Sequence, residues 1–125
     1  MNRNILLVGI GGFIGSVARY LVGVVFAEQF TSTFPLGTFV VNITGCFIIG
    51  LLFELSDRGN ILSPDLRIFV TTGFCGGFTT FSTFSYESIR LLQGAEFLYF
   101  GLNLFLSVMI GLAATYLGIL LVRSL

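Results

Sequence analysis

Apolar residues fill four long stretches of the chain, separated by three short polar ones, and each stretch is long enough to cross a hydrocarbon core of about 30 Å. The first runs over 5–27, with Arg19 as its only charge. A polar link over 28–33 leads to the second, 34–53, which opens with Pro35 where the first turn of a helix tolerates proline. The stretch 56–65 holds Asp57, Arg58, Gly59, Asn60 and Pro64 and predicts a loop in water. The third span covers 66–92, Gln93 to Glu96 forms a turn, and the fourth covers 97–122. The pattern predicts a single domain over 1–125, an all-α integral membrane protein of four transmembrane helices with both termini on one side. A cleaved signal sequence is the rival for the first run, but that run is too long and carries an internal arginine.

The third span is unlike the others. Thr71-Thr72-Gly73-Phe74-Cys75-Gly76-Gly77-Phe78-Thr79-Thr80-Phe81-Ser82-Thr83-Phe84-Ser85 combines two adjacent glycines with hydroxyl residues interleaved with phenylalanine. Glycine costs about 1 kcal/mol in a helix interior, and serine and threonine offer the backbone competing hydrogen bonds, so a helix break is expected between Gly76 and Thr80. A break exposes backbone groups that lipid cannot satisfy, so it must face protein, water or an ion.

Composition narrows the chemistry. Hydrophobic residues make up 55% of the 125 and charged residues 10%, far from a soluble average. The net charge is zero and lysine and histidine are absent, which excludes a basic nucleic-acid surface and removes the commonest metal ligand and general base. Cys46 and Cys75 lie in apolar runs without metal-ligand spacing and read as inert buried thiols. Glycines 9, 11, 12 and 15 put small residues on adjoining turns of the first span, a surface for close helix approach.

Arg3, Arg58, Arg67 and Arg123 fall on the side of the termini and Arg90 on the other, a bias that leans towards both termini in the cytoplasm by the positive-inside rule. Arg19 lies about 12 Å from the end of its span, and a central arginine costs about 2.5–3.5 kcal/mol on insertion scales. It is expected to face a wet cavity, attracting anions, or to anchor the broken helix. Asn42 reads equally as interhelical glue or as pore lining. Glu87 and Arg90, three apart near the end of the third span, are expected to pair at the interface.

Phe81 and Phe84 share one face if helix resumes after the break. Ring edges carry positive potential and can meet an anion that has shed its water, without the tight binding a fixed charge imposes. In the fourth span Asn103, Ser107, Gly111 and Thr115 recur every four residues as one stripe, readable as interhelical packing or as a track of donors for an anion.

Gly12, Gly15 and Arg19, then Pro35, Gly37, Thr38 and Asn42, and above all the run from Thr71 to Ser85 followed by Glu87, together resemble the Fluc (CrcB-like) fluoride channels. The resemblance covers all four spans in order. It implies a passive fluoride-selective channel that exports fluoride across the inner (plasma) membrane, built as an antiparallel homodimer with two pores. It further implies a structural sodium ion at the dimer centre, held at the break by backbone carbonyls of Gly76 and Thr79. By the same resemblance Phe81, Phe84, Asn42 and Arg19 belong to the pore, Ser82 and Thr83 join its polar track, and Ser107 and Thr115 are the fourth-span members. Gly111 departs from the pattern, standing where a hydroxyl could donate.

Two other readings compete. A small multidrug-resistance-type proton-coupled transporter needs a membrane-embedded carboxylate, and the first span offers Arg19 instead. A non-transporting membrane assembly subunit would use the same glycines and hydroxyls for packing alone. An enzyme is the least supported reading, since the spans contain no Ser/His, Cys/His or central carboxylate pair.

Overall fold

The computed structural model describes residues 2–59 and 61–125; Asn60 of the expected loop lies outside them. Helix α1 spans Asn2–Gln29, α2 Leu36–Asp57 and α6 Phe97–Arg123, and these three are long and apolar enough to cross a membrane. Between α2 and α6 the chain crosses in pieces: α3 (Pro64–Ile68), a π-helical segment (Phe69–Cys75), one turn of helix α4 (Gly76–Phe78), then α5 (Phe81–Gln93). The protein is an all-α, multi-pass membrane protein with four crossings, the third of them broken.

Helix α2 runs one turn further than its apolar stretch, so Ser56 and Asp57 are helical rather than looped. The polar side chains of that turn find partners at the helix end. Ser56 Oγ donates to the Leu52 carbonyl at 2.9 Å, and Arg58 lies 3.9 Å from Glu54. Helix α3 starts where the sequence offers a cap and a proline together: the Ser63 side chain accepts from the Leu66 N–H at 3.2 Å and Pro64 occupies the first turn.

Most large apolar side chains point outward, among them Phe13, Phe105 and Leu112, as expected where lipid and not water surrounds the bundle. Glycines make the helix contacts. α1 packs on the first half of the third crossing: a Cβ on Gly73 would stand 3.0 Å from Gly11 Cα, and one on Gly77 would stand 3.1 Å from Gly12 Cα. α2 packs on α6 in the same way, with Gly50 closed by the backbone of Thr115 and Gly118 by that of Phe47 and Leu51. The glycine face expected on the first span is therefore real, and its partner is the first half of the third. With lipid on both sides there is no hydrophobic force between these helices, so close van der Waals approach carries the packing.

Gly76 and Gly77 are neighbours with different duties. A Cβ on Gly76 meets nothing within 4 Å, whereas one on Gly77 meets backbone of α1 and the Ser16 hydroxyl. Gly77→Ala is expected to destabilise the protein by about 1–3 kcal/mol through overpacking, read as a lowered thermal unfolding midpoint in detergent. An unchanged midpoint would show that α1 can move aside at no cost.

A candidate ion pathway at the helix break

The break falls at Thr79 and Thr80. Their backbones are extended (φ −86°, ψ 159° and φ −153°, ψ 121°), while Gly76 and its neighbours before them remain helical. The glycine pair therefore does not interrupt the helix; it lets α1 approach, and two β-branched hydroxyl residues make the interruption. β-branched residues suit extended backbone.

Side chains from two other helices take up the freed groups. Asn42 on α2 accepts from the Thr80 N–H at 2.9 Å through Oδ1 and donates to the Thr80 carbonyl at 3.0 Å through Nδ2, as a neighbouring strand would. Arg19 Nε on α1 donates to the Gly77 carbonyl at 3.1 Å. Thr79 donates to the Cys75 carbonyl from both its N–H (3.0 Å) and its hydroxyl (2.9 Å). Thr80 Oγ1 then caps α5, accepting from the Thr83 N–H at 3.1 Å. Asn42 and Arg19 thus both hold the break.

Four carbonyls, those of residues 76–79, lose their ordinary helical donors in this arrangement, and Arg19 serves only that of Gly77. The Thr80 N–H that would serve the Gly76 carbonyl goes to Asn42, and the Thr83 N–H that would serve the Thr79 carbonyl goes to Thr80 Oγ1. Among the described residues no group of three or more His, Cys, Asp or Glu is placed to hold a metal, so any cation at this point would meet neutral backbone oxygens.

Beside the break lies a cavity of about 350 Å³ whose lining includes Asn42, Thr80, Phe81, Phe84, Ser107 and Thr115. The Phe81 and Phe84 rings are 5.8 Å apart between centroids, tilted by 44°, and Phe81 is 77% exposed in the single chain. A second cavity, about 320 Å³, is lined by Arg19, Thr38, Thr83 and Glu87 among others, and Thr80 borders both.

Residues 6–119 match the family model described as CrcB-like protein, Camphor Resistance (CrcB). The chain belongs to the CrcB-like family. A protein of Chlorobium chlorochromatii named fluoride-specific ion channel FluC is 52% identical over 120 residues, covering 96% of this chain and 92% of the relative. A protein of the same name from Flavobacterium psychrophilum is 46% identical, covering 98% of this chain and 99% of its own length.

In this CrcB-like chain the residues expected at the pore divide between the two cavities. Asn42, Phe81, Phe84, Ser107 and Thr115 line the first, with Thr79 beside them, whereas Arg19 and Thr83 line the second. Ser82 is exposed and stands 3.4 Å from Thr80 Oγ1, lining neither. The fourth-span stripe is not a simple track of donors. Thr115 Oγ1 donates to the Gly111 carbonyl at 3.1 Å and Ser107 Oγ to Asn103 Oδ1 at 3.2 Å, so both hydroxyl protons are committed within α6. Gly111 is buried against α2, where a Cβ would make an ordinary contact, 3.4 Å from Cys46 Sγ.

The expected Glu87–Arg90 pair does not form. Arg90 lies over the Tyr86 ring, 5.9 Å from its centroid, and donates to the Tyr86 hydroxyl at 3.1 Å. Glu87 turns to the second cavity, where its Oε1 is buried with no hydrogen-bond partner. The spacing from Thr83 to Glu87, four residues on one helical face, could have signalled this. Thr80 had no such signal, because its importance depends on Asn42 arriving from α2.

The four arginines assigned to the termini's side do gather at one end. Arg3 pairs with Asp65, Glu54 lies 3.4 Å from Arg123 as well as near Arg58, and Arg67 sits 5.4 Å from the centroid of the Phe53 ring.

Asn42→Ala leaves the N–H and carbonyl of Thr80 without their partner at a point lipid cannot supply one. The expected loss is roughly 1–3 kcal/mol for each group, measured as reduced unfolding stability in detergent. A variant as stable as the parent would mean that the break is held by other means.

Proposed function

We propose that this chain is a passive, fluoride-selective channel that exports fluoride across the inner membrane and works as an antiparallel homodimer with two pores. The observation that carries the reading is the cavity at the break, lined by Phe81, Phe84 and Asn42, in a chain about half identical over nearly its full length to proteins named fluoride-specific ion channels. Those relatives are named as channels and not as enzymes, and the cavity lining has no acid–base pair for catalysis.

Selectivity in this reading comes from weak, dry contacts. The ring edges of Phe81 and Phe84 offer positive potential to a dehydrated anion, while Asn42 and Thr80 keep the adjoining backbone rigid. Among the described residues no carboxylate lines this cavity to carry a coupled proton. Glu87, near the end of the third span, is in the neighbouring cavity.

The Gly76 and Thr79 carbonyls, relieved of their helical donors, would hold a sodium ion, and their neutral oxygen chemistry fits a hard monovalent cation. Bound there, the ion would balance carbonyl dipoles that cost several kcal/mol when unsatisfied in lipid. One chain offers too few such oxygens to replace a hydration shell. A second copy related by a two-fold axis doubles the set, and it also covers the exposed Phe81 ring.

Liposomes containing only this protein are expected to release fluoride far faster than chloride, with flux following the fluoride gradient alone. Phe81→Ile and Phe84→Ile keep apolar bulk but delete the quadrupole, and each is expected to lower fluoride flux by up to about tenfold with assembly intact. Uphill fluoride movement driven by a pH gradient at controlled voltage contradicts passive transport, and unchanged flux at both rings reduces them to packing.

The dimer is open to a separate measurement. A Cβ on Gly76 meets nothing in the single chain. Gly76→Ala is therefore expected to leave the subunit folded while weakening dimerisation if the two breaks meet. Subunit counting by single-molecule photobleaching reads this directly, and a conducting monomer would overturn the dimer.

A further inference from the structure

The fourth-span stripe carries one polar side chain that lines neither cavity. This side chain, Asn103, is 1% exposed. A buried amide among lipid-facing helices is costly unless satisfied, and this one bonds at both ends. Its Nδ2 donates to Ser88 Oγ at 3.0 Å, and its Oδ1 accepts from Ser107 Oγ at 3.2 Å. Ser88 in turn donates to the Phe84 carbonyl at 2.8 Å. A continuous chain of hydrogen bonds thus links Ser107, on one wall of the first cavity, to the backbone of Phe84, on another. Among the described residues, the Asn103–Ser88 bond is the only side-chain hydrogen bond between α5 and α6.

We propose that Asn103 is a positioning residue for conduction: it fixes the Ser107 hydroxyl and holds the resumed half of the third crossing, with its Phe84 ring, at a set distance from α6. This rests on the channel reading above. The direction of the chain matters for an anion. Ser107 has one proton, and giving it to Asn103 Oδ1 turns the lone pairs of Ser107 towards the cavity. A passing fluoride needs a donor, so it must draw that proton away from Asn103. Asn103 therefore sets the energy of the exchange as well as the register of the helices. Replacing the amide changes what fluoride must compete with, whereas replacing an ordinary packing residue changes only stability.

The experiment compares fluoride efflux from liposomes for the parent protein, Asn103→Leu, Ser107→Ala and the double variant, with unfolding midpoints measured alongside. Each single substitution is expected to lower flux by at least about fivefold, and the double variant is expected to fall no further than the lower single, because both cut one chain of bonds. Effects that multiply in the double variant, or an unchanged flux in Asn103→Leu, overturn the proposal. Ser88→Ala covers the case in which Asn103→Leu does not assemble. It removes the α5 partner of Asn103 and leaves Ser107 bonded, so a loss of flux is expected in both the parent and the Ser107→Ala backgrounds; unchanged flux in both counts against the proposal. A parent protein that passes no fluoride at all is a different failure, that of the channel reading itself.

Discussion

A hydrocarbon core has nothing to offer an open backbone, and the rest of this structure follows from how the third crossing meets that constraint. Two extended residues release several N–H and carbonyl groups at the depth where each costs several kcal/mol if left alone. Asn42 replaces a whole peptide at Thr80, Arg19 takes the Gly77 carbonyl, and Thr80 caps the helix that resumes. Each of these groups comes from a different element, so the break can exist only when α1, α2 and both halves of the third crossing are already together. A polar opening in the bilayer is thus held by tertiary structure, and the cavity beside it is lined by the same residues that hold it.

Close packing is what brings those elements within reach. Gly11, Gly12 and Gly15 on α1 meet Gly73, Gly77 and the Phe74 and Phe78 backbone, near enough for the Arg19 side chain to reach the Gly77 carbonyl. On the other side Gly50 and Gly118 draw α2 and α6 together and set Thr115 at the cavity wall. In water such contacts would add to a hydrophobic core. Here they replace one, because apolar side chains gain nothing by leaving lipid for protein.

Two cavities flank Thr80, and their chemistry differs. The first is aromatic and hydroxyl-lined without a carboxylate; the second has Arg19 and Glu87 with Thr38 and Thr83. Under the function proposed above, the uncharged cavity is the one an anion would leave readily, since a fixed positive charge beside the rings would bind it too tightly for rapid release.

Span number, the broken third crossing and the glycine face of α1 were legible in the sequence because they rest on local properties: run length, hydroxyl and glycine content, and the four-residue spacing of small side chains. The arginine-rich end was legible for the same reason, since charges that flank a span sit at least cost at the membrane surface. The position of the break within its window was not. Glycine's poor helix propensity pointed to Gly76 and Gly77, yet both are helical, because a tight approach to α1 uses the absent Cβ of Gly77 and tertiary packing outweighs about 1 kcal/mol of propensity. Nor could spacing along one helix show that Asn42 would pair with Thr80 across 38 residues, that Glu87 would turn from Arg90 towards the second cavity, or that Ser107 would spend its proton on Asn103. Each of those depends on which hydrogen-bonding partner another helix delivers, and in a medium without water the partner that arrives decides where a polar side chain points.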